Sequence, residues 1–327
     1  MRKFNIFIII GVLLLASPAL HAQDFLQKAK NYLDAGNCEK AQMAYEAYKV
    51  EHPSGNADVE KRIAECRTPA QTPGNNKTDQ TFKVGDVTFK MIFVEGGTFQ
   101  MGATSEQGSD AEKDEKPNHD VTLSDFYIGE TEVTQSLWKA VMEWEPTYYG
   151  GWTDEYGRGA TYPAYRVSWE ECVQFCNELN SKLSRELPPG YKFALPTEAQ
   201  WEYAARGGNR KSSYKYAGGG SIDEVAWYKE NSGGKTHPVM GKRANALNIY
   251  DMSGNVWEWC EDWYSSSWYS DNRNWTDPVN TNVTSIHMLR GGSWSCKASR
   301  CRVAIRGDFT PSYRGNYSGF RLALVRR

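Results

Sequence analysis

The chain has 327 residues and carries 12 Trp, 19 Tyr and 12 Phe. This aromatic content excludes a disordered chain and predicts a sizeable buried core. The formal net charge of −2, with 24% charged residues, creates no strong field of either sign. Composition therefore favours neither nucleic acid nor an anionic membrane surface as a partner.

Residues 1–22 are typical of a secretory signal. The basic residues Arg2 and Lys3 precede an apolar run at 7–16, and the small residue Ala22 closes the segment. The apolar run is shorter than the roughly 20 residues that a membrane-spanning helix needs, which favours cleavage over an uncleaved anchor. The sequence predicts an exported product without an integral membrane segment, located in a periplasm, a secretory lumen or outside the cell.

Residues 23–66 form a predicted helical segment. Helices are expected at 24–36, 38–51 and 57–66. The spacing of small residues and tyrosines in the first two resembles a single tetratricopeptide-type hairpin. One such repeat cannot bury its own apolar face, which favours a helical spacer over a peptide-binding groove. Cys38 and Cys66 flank the last two helices and are candidates for a disulfide.

Residues 67–81 have the composition of a flexible linker, and residues 82–327 form the predicted second domain. Alternating apolar and polar residues predict hairpins at Gly85 and at the pair Gly96 and Gly97. Capped helices are predicted at 134–142, 168–185 and 197–206. The remaining Gly- and Trp-rich sequence indicates an α+β fold with much irregular structure.

Several kinds of chemistry are excluded by what this sequence lacks. The four histidines beyond the predicted signal are not within helical reach of one another, which argues against a histidine-based zinc site. Neither a G-x-S-x-G elbow nor a phosphate-binding P-loop motif occurs. The acidic segment 110–120 mixes Lys with Asp and Glu without calcium-loop spacing, and is interpreted as a solvated loop.

Thiols remain as candidates for chemistry. Seven cysteines, an odd number, leave at least one thiol outside any set of intrachain disulfides. Cys296 and Cys301 lie five apart in RGGSWSCKASRC, and nearby arginines favour the thiolate form. Paired thiolates make a soft site that selects monovalent copper. Spacing alone favours two alternatives, a disulfide between these residues or separate buried cysteines that act as small apolar side chains.

Four stretches occur in order: FVEGGTFQMG at 93–102, LPTEAQWEYAARGG at 195–208, NIYDMSGNVWEWCEDWY at 248–264, and LRGGSWSC, CRVAIR and GFRLAL between 289 and 324. Together they resemble the formylglycine-generating enzyme family, also called the sulfatase-modifying factor domain. The resemblance runs in order across roughly residues 83–327, the whole predicted second domain. It implies a variant of the C-type-lectin-like fold, with few regular elements around a twisted sheet.

The resemblance also implies a copper- and oxygen-dependent oxidation of a peptidyl cysteine, with an unfolded protein or a peptide as substrate. Cys296 and Cys301 would hold copper, Ser293 and Trp257 would line the oxygen and substrate pocket, and Arg306 would orient the substrate. A calcium ion would be held by the ligands implied by N-x-x-G-N-x-W-E in the family, which map to the Asp251 side chain, the Gly254 and Val256 carbonyls and the Glu258 side chain.

The sequence departs from the active enzymes at several points. Leu322 stands where active members carry a cysteine after G-F-R, and the segment after Cys301 is shorter than theirs. Cys301 then matches a structural cysteine that relatives without known activity also carry. Two hypotheses follow: a secreted formylglycine-generating-type oxidase, and a non-catalytic lectin-like module that serves as a structural or ligand-binding component of the cell envelope.

Overall fold

The computed structural model describes residues 18–34, 38–67, 78–210, 213–271 and 275–326. The chain divides into two compact units, one ending at Asn76 and the other beginning at Lys77. Most of the predicted signal and linker lie outside the described residues. The side chains of Cys38 and Cys66 also lie outside the described part of the chain, so the predicted disulfide between them stays a prediction. No helix in the described ranges is long and apolar enough to cross a membrane.

The N-terminal unit contains the helices α1 (Pro18–Asp34), α2 (Cys38–Glu51) and α3 (Ala57–Arg67). The predicted bounds of α2 are confirmed, whereas the predicted start of α1 at Asp24 is wrong because the backbone is helical from Pro18, a residue suited to a first helical turn. The three helices bury a small shared core made of Ala29, Leu33, Ala41, Tyr45, Tyr48, Val59 and Ile63.

The described part of the C-terminal unit contains the strands β1 (Gln80–Val84), β2 (Val87–Val94), β3 (Gly97–Met101), β4 (His119–Leu123), β5 (Phe126–Gly129), β6 (Tyr191–Ala194), β7 (Trp257–Trp263), β8 (His287–Arg290), β9 (Arg306–Phe309), β10 (Ser318–Gly319) and β11 (Ala323–Arg326). A five-stranded sheet has the order β1-β2-β5-β11-β6, a four-stranded sheet has the order β10-β7-β8-β9, and β3 pairs with β4. The chain returns at its end to place β11 between β5 and β6.

The described part of this unit contains the α-helices α4 (Gln135–Met142), α5 (Trp169–Lys182), α6 (Glu198–Ala205) and α7 (Ile222–Val225). The three predicted helices are confirmed together with their N-terminal caps, but the predicted end of α5 at Arg185 is wrong because the helix ends at Lys182. The Thr134 hydroxyl accepts a hydrogen bond from the Leu137 N–H, and capping boxes at Ser168 and Thr197 begin α5 and α6. Each box satisfies two backbone donors at its own helix start, which is why short-range sequence predicts it.

Of the two predicted hairpins, the one at Gly85 is confirmed and the one at Gly96 and Gly97 is wrong. Strand β2 pairs with β5, and β3 leaves that sheet to pair with β4. A side chain at Gly96 would overlap the Leu123 carbonyl oxygen, and one at Gly97 would lie 2.8 Å from the Tyr203 hydroxyl. Gly96 therefore serves a close crossing of the backbone, Gly97 leaves room for the Tyr203 side chain, and the pair does not form a tight turn.

The central strands β5 and β11 of the five-stranded sheet are buried on both faces. Successive residues of a strand point to opposite faces, so Met91 packs in the core with α4 and α5 while Ile92 packs in the core with α6. In the same way, Leu324 packs in the core with α4 and α5, whereas Val325 packs in the core with α6. Strand β8 of the four-stranded sheet ends at Arg290, and the loop that carries the candidate site begins directly after it.

Candidate functional site

A glycine turn follows β8 and places the sequence-predicted Ser293. Gly291 and Gly292 both have positive φ, +95° and +75°. A side chain at Gly292 would overlap the Arg300 carbonyl oxygen and lie 2.8 Å from the Cys301 Sγ atom. The turn can therefore form only with glycine at this position, and Ser293 is buried directly behind it.

The structure brings Cys296 and Cys301 together around Ser293. The Cys296 Sγ atom lies 3.4 Å from the Ser293 Oγ atom, and the Cys301 Sγ atom lies 3.9 Å from the Ser293 carbonyl oxygen. Both cysteines are free thiols, so the structure does not contain the disulfide that spacing alone favoured. Cys296 is half-buried and Cys301 is buried, which leaves Cys296 as the thiol that meets solvent.

The sequence predicted that neighbouring arginines favour the thiolate form of these cysteines, and this prediction is wrong for most of the arginines. Burial raises the pKa of the Cys301 thiol well above its ordinary value, and the Cys296 charge adds to that effect, with Arg300 opposing it weakly. The side chains of Arg290, Arg302 and Arg306 are buried in ion pairs with carboxylates instead.

These ion pairs join distant parts of the chain. Arg290 bonds Glu202, and Arg306 makes two bonds of 2.7 and 3.0 Å to Glu198. Because Arg306 is buried and engaged in this way, its contacts favour a positioning role over direct contact with a substrate.

The acidic segment 110–120 is not purely a solvated loop, because it supplies the third carboxylate. Glu115 is fully buried and makes bonds of 2.5 and 2.8 Å to Arg302, which also bonds Gln107. Sequence reasoning missed Glu115, since nothing in a mixed-charge segment distinguishes one glutamate from its neighbours.

Trp257 borders the thiol turn from β7. Its ring lies against Gly307, where a Cβ atom would come within 2.9 Å, and under Arg300 at 5.6 Å. The backbone N–H of Trp257 donates to the Tyr317 carbonyl at 2.8 Å. Trp257 thus links the thiol turn to the loop that follows β9.

An apolar cluster packs against the buried thiol. Tyr216, Val225, Ala226 and Tyr228 lie with Cys301 in one cluster, and Cys296 packs at its edge. The Lys229 N–H donates to the Cys296 carbonyl at 2.9 Å, which fixes the loop beside the thiols. Sequence reasoning missed these residues because they come from an irregular segment without periodicity.

The predicted calcium ligands lie in a separate buried cluster of charges. Glu258 bonds Arg321 through both carboxylate oxygens and also accepts from Trp201, while Asp251 accepts from the Met240 N–H at 2.8 Å. Gly254 has a φ of +81°, and its N–H donates to the Gly291 carbonyl. The residue that sequence reasoning missed is Glu132, which accepts from the Val256 N–H at 3.0 Å.

Carboxylates outnumber cations in this cluster. Burial raises the pKa of Asp251 to about 6, and burial with the charges of Asp251 and Glu258 raises the pKa of Glu132 well above its usual range. An excess of buried negative charge and hard oxygen donors suits a divalent cation. However, no three His, Cys, Asp or Glu side chains of the described residues converge as a metal-binding group.

The buried Asp262 side chain gives the free energy of unfolding a testable pH dependence. Burial, with the Glu198 charge, raises its pKa to about 7, whereas an unfolded aspartate titrates near about 4. Between these values the folded protein holds a proton that the unfolded chain has lost, so the free energy of unfolding falls as pH rises through this window.

Asp262→Asn, which stays neutral, should lack this part of the fall. Urea unfolding of both proteins at about pH 5 and about pH 7 should show the wild type losing about 2 to 3 kcal/mol relative to the variant, at about 1.4 kcal/mol per pH unit. Equal differences at the two pH values would contradict the assignment. The remaining titrating groups are shared by both proteins and cancel.

The fold and the site define a class: a C-type-lectin-like α+β domain with paired thiols after a glycine turn. The chain belongs to the sulfatase-modifying factor enzyme 1-like domain family, which matches residues 78–326. The predicted family and fold class are therefore confirmed.

Relatives in this family carry different names. The Chaperone protein LppX of Paenibacillus barcinonensis is 31% identical over 282 residues, covering 72% of this chain and 89% of that protein. A formylglycine-generating enzyme of Streptomyces coelicolor is 28% identical over 293 residues, covering 71% and 88%. The solved structure of Treponema denticola variable protein 1 is 34% identical with a TM-score of 0.65, covering 76% of this chain and 99% of that one.

Proposed function

We propose that the protein is an oxidase of the formylglycine-generating type, which uses dioxygen and an external thiol reductant to convert a peptidyl cysteine into an aldehyde. The substrate sulfur leaves as hydrogen sulfide, two equivalents of the reductant are oxidised to a disulfide, and the second oxygen atom leaves as water. The observation that carries this proposal is the placement of two free thiols around one buried serine, Cys296 and Cys301 around Ser293. The half-buried Cys296 is the group that an incoming peptide cysteine can approach. Similarity to enzymes named as formylglycine-generating supports the reaction class.

The donor set fits monovalent copper. The two thiols would hold the ion as soft ligands, and the adjacent apolar cluster around Tyr216 and Tyr228 would keep water from it. Copper, when bound, would supply the activation of dioxygen. The residues of the chain would do the rest: Gly292 permits the approach of Cys301, Ser293 holds both thiols, and Arg306 fixes the strand that follows them.

The test is copper(I) binding by the reduced full-length protein, followed by oxygen-dependent conversion of a cysteine peptide. Wild type is expected to bind one equivalent and to produce a peptide mass loss consistent with an aldehyde, whereas Cys296→Ala should lose both. The matched control is Cys176→Ala, which removes another buried free thiol outside the site. Absence of binding and turnover in folded wild type would refute the oxidase proposal.

We further propose that calcium binds beside Asp251. Calcium would neutralise the buried carboxylates of Asp251 and Glu132, and should raise the melting temperature of the wild type more than that of Asp251→Asn. An equal response of both proteins to calcium and to its chelator would count against calcium binding.

We also propose that the protein is exported. N-terminal sequencing of the mature protein from fractionated cells tests export and cleavage near residue 23.

The second candidate is a non-catalytic, ligand-binding envelope module. Two observations favour it: Leu322 replaces the cysteine expected after G-F-R, and relatives at 31% and 34% identity are named as a chaperone and a variable protein. A folded wild type that binds no copper but retains binding of a peptide would support this candidate.

A further inference from the structure

Two exposed and three half-buried aromatic side chains from two segments gather at the surface. They are Tyr148 and Tyr149 from one loop, Phe309 from the end of β9, and Tyr313 and Tyr317 from the loop after β9. Phe309 and Tyr313 stack with ring centroids 4.0 Å apart, and the Tyr313 hydroxyl bonds the Tyr317 hydroxyl. These five residues are called the aromatic face below.

The two segments belong to one surface. The Arg314 guanidinium lies 5.5 Å over the Tyr148 ring, and the Tyr149 charge contributes to the raised pKa of Tyr313. Tyr148 is 51% exposed and Tyr149 is 74% exposed. Tyr149 also has a φ of +50°, a conformation that costs free energy for a bulky residue and is typical of functional loops.

The loop that carries three of these residues is held rigidly. Arg314 bonds Glu171 of α5 through two contacts of 3.0 Å, and the Trp294 ring N–H donates to the Asn316 carbonyl at 3.0 Å. The backbone N–H of Trp169 donates to the Pro311 carbonyl at 2.9 Å. A rigid loop loses little conformational entropy on binding, which favours recognition.

The composition of this loop resembles that of a binding surface. Residues 307–318 read GDFTPSYRGNYS, rich in Tyr, Ser, Gly and Asn as antigen-binding loops are. Arg314 is already paired with Glu171, so the face lacks the excess positive charge that a nucleic-acid stacking surface carries. A polypeptide with apolar side chains is the better match.

The aromatic face is continuous with the thiol site. Trp294, which lies between Ser293 and Cys296 in sequence, holds Asn316, and Trp257 holds the backbone of Tyr317. A peptide whose cysteine reaches Cys296 can therefore extend directly over the loop that carries the face.

We propose that the aromatic face binds the segment flanking the reactive cysteine of a polypeptide substrate and selects large apolar side chains in that segment. This inference rests on the proposed function for the identity of the occupant. It goes beyond that function because it assigns specificity to residues outside the thiol turn.

The experiment uses reduced, metal-free, full-length protein and three labelled peptides of equal length with a central cysteine. One has a Gly-Ser background, and the others carry Phe and Leu on the N-terminal or the C-terminal side. Fluorescence anisotropy should show one apolar peptide binding at least about 10-fold tighter than the Gly-Ser peptide. Tyr149→Asn and Tyr313→Ser should each remove about 10-fold of that preference.

Asn tolerates the positive φ of Tyr149, so this variant is expected to fold. The matched control is Tyr32→Ser, which removes a partly exposed tyrosine of the N-terminal unit and should bind like the wild type. Equal affinity for the three peptides, or unchanged affinity in both face variants, overturns the proposal.

The outcomes separate this inference from the oxidase proposal. Retained peptide preference in the metal-free protein, with no oxidation after copper(I) is added to the same protein, supports the aromatic face and refutes the oxidase. Oxidation whose KM is the same in wild type and Tyr149→Asn refutes the aromatic face and leaves the oxidase in place. A rise of KM in Tyr149→Asn, with kcat unchanged, supports both.

Discussion

Glu115→Ala is expected to lower the free energy of unfolding by about 3 to 5 kcal/mol, because it leaves the Arg302 guanidinium buried without its carboxylate. Both side chains are completely buried and share two short bonds. The loss removes charge compensation that water cannot replace at this depth, so it far exceeds the effect of an exposed pair.

Chemical denaturation measures the loss, and two further variants interpret it. Asp110→Ala removes the partly exposed pair with Lys215 from the same segment and should cost less than about 1 kcal/mol. The double variant Glu115→Leu with Arg302→Met should recover much of the loss, since an apolar pair needs no compensation. Similar losses for Glu115→Ala and Asp110→Ala would show that Glu115 is not the buried partner of Arg302.

The elements that sequence predicted are those whose cause is local. The capping boxes at Ser168 and Thr197 satisfy backbone donors within three residues, and the Gly85 turn joins adjacent strands. Their signals therefore survive without knowledge of the rest of the fold, and the structure confirms all three.

The strand order could not be predicted, because it depends on partners far apart in sequence. Strand β11 inserts between β5 and β6, and β3 leaves the strand that precedes it. Alternation indicates which face of a strand is buried but not which strand lies beside it. The pair Gly96 and Gly97 predicted a turn, whereas Gly96 serves a close backbone crossing and Gly97 leaves room for the Tyr203 side chain.

The candidate site likewise has a local part that the sequence predicted and a part made of distant residues that it did not. The glycine turn, Ser293 and the two cysteines form one short motif, and the structure brings them together as that motif indicates. The carboxylates that neutralise Arg290, Arg302 and Arg306 come from segments near residues 115 and 200. Sequence proximity therefore misrepresented these arginines as neighbours that activate the thiols.

Gly292→Ala is expected to destabilise the protein by at least about 2 kcal/mol more than Gly234→Ala and to displace Cys301. Both glycines have nearly the same positive φ, +75° and +79°, so both substitutions add the backbone strain of about 1 to 2 kcal/mol. A Cβ atom at Gly234 meets nothing within 4 Å, whereas one at Gly292 overlaps the Arg300 carbonyl and crowds the Cys301 sulfur. The extra cost is the displacement of that backbone.

Urea denaturation of the two variants measures the difference, and copper(I) titration of the folded proteins measures its consequence for the thiol pair. Gly234→Ala should bind copper like the wild type, since its substitution touches nothing. Gly292→Ala should bind more weakly because Cys301 has moved relative to Ser293 and Cys296. Equal stability of the variants would mean that the turn after β8 relaxes freely, and the close approach of Arg300 to Gly292 would then not be what positions Cys301.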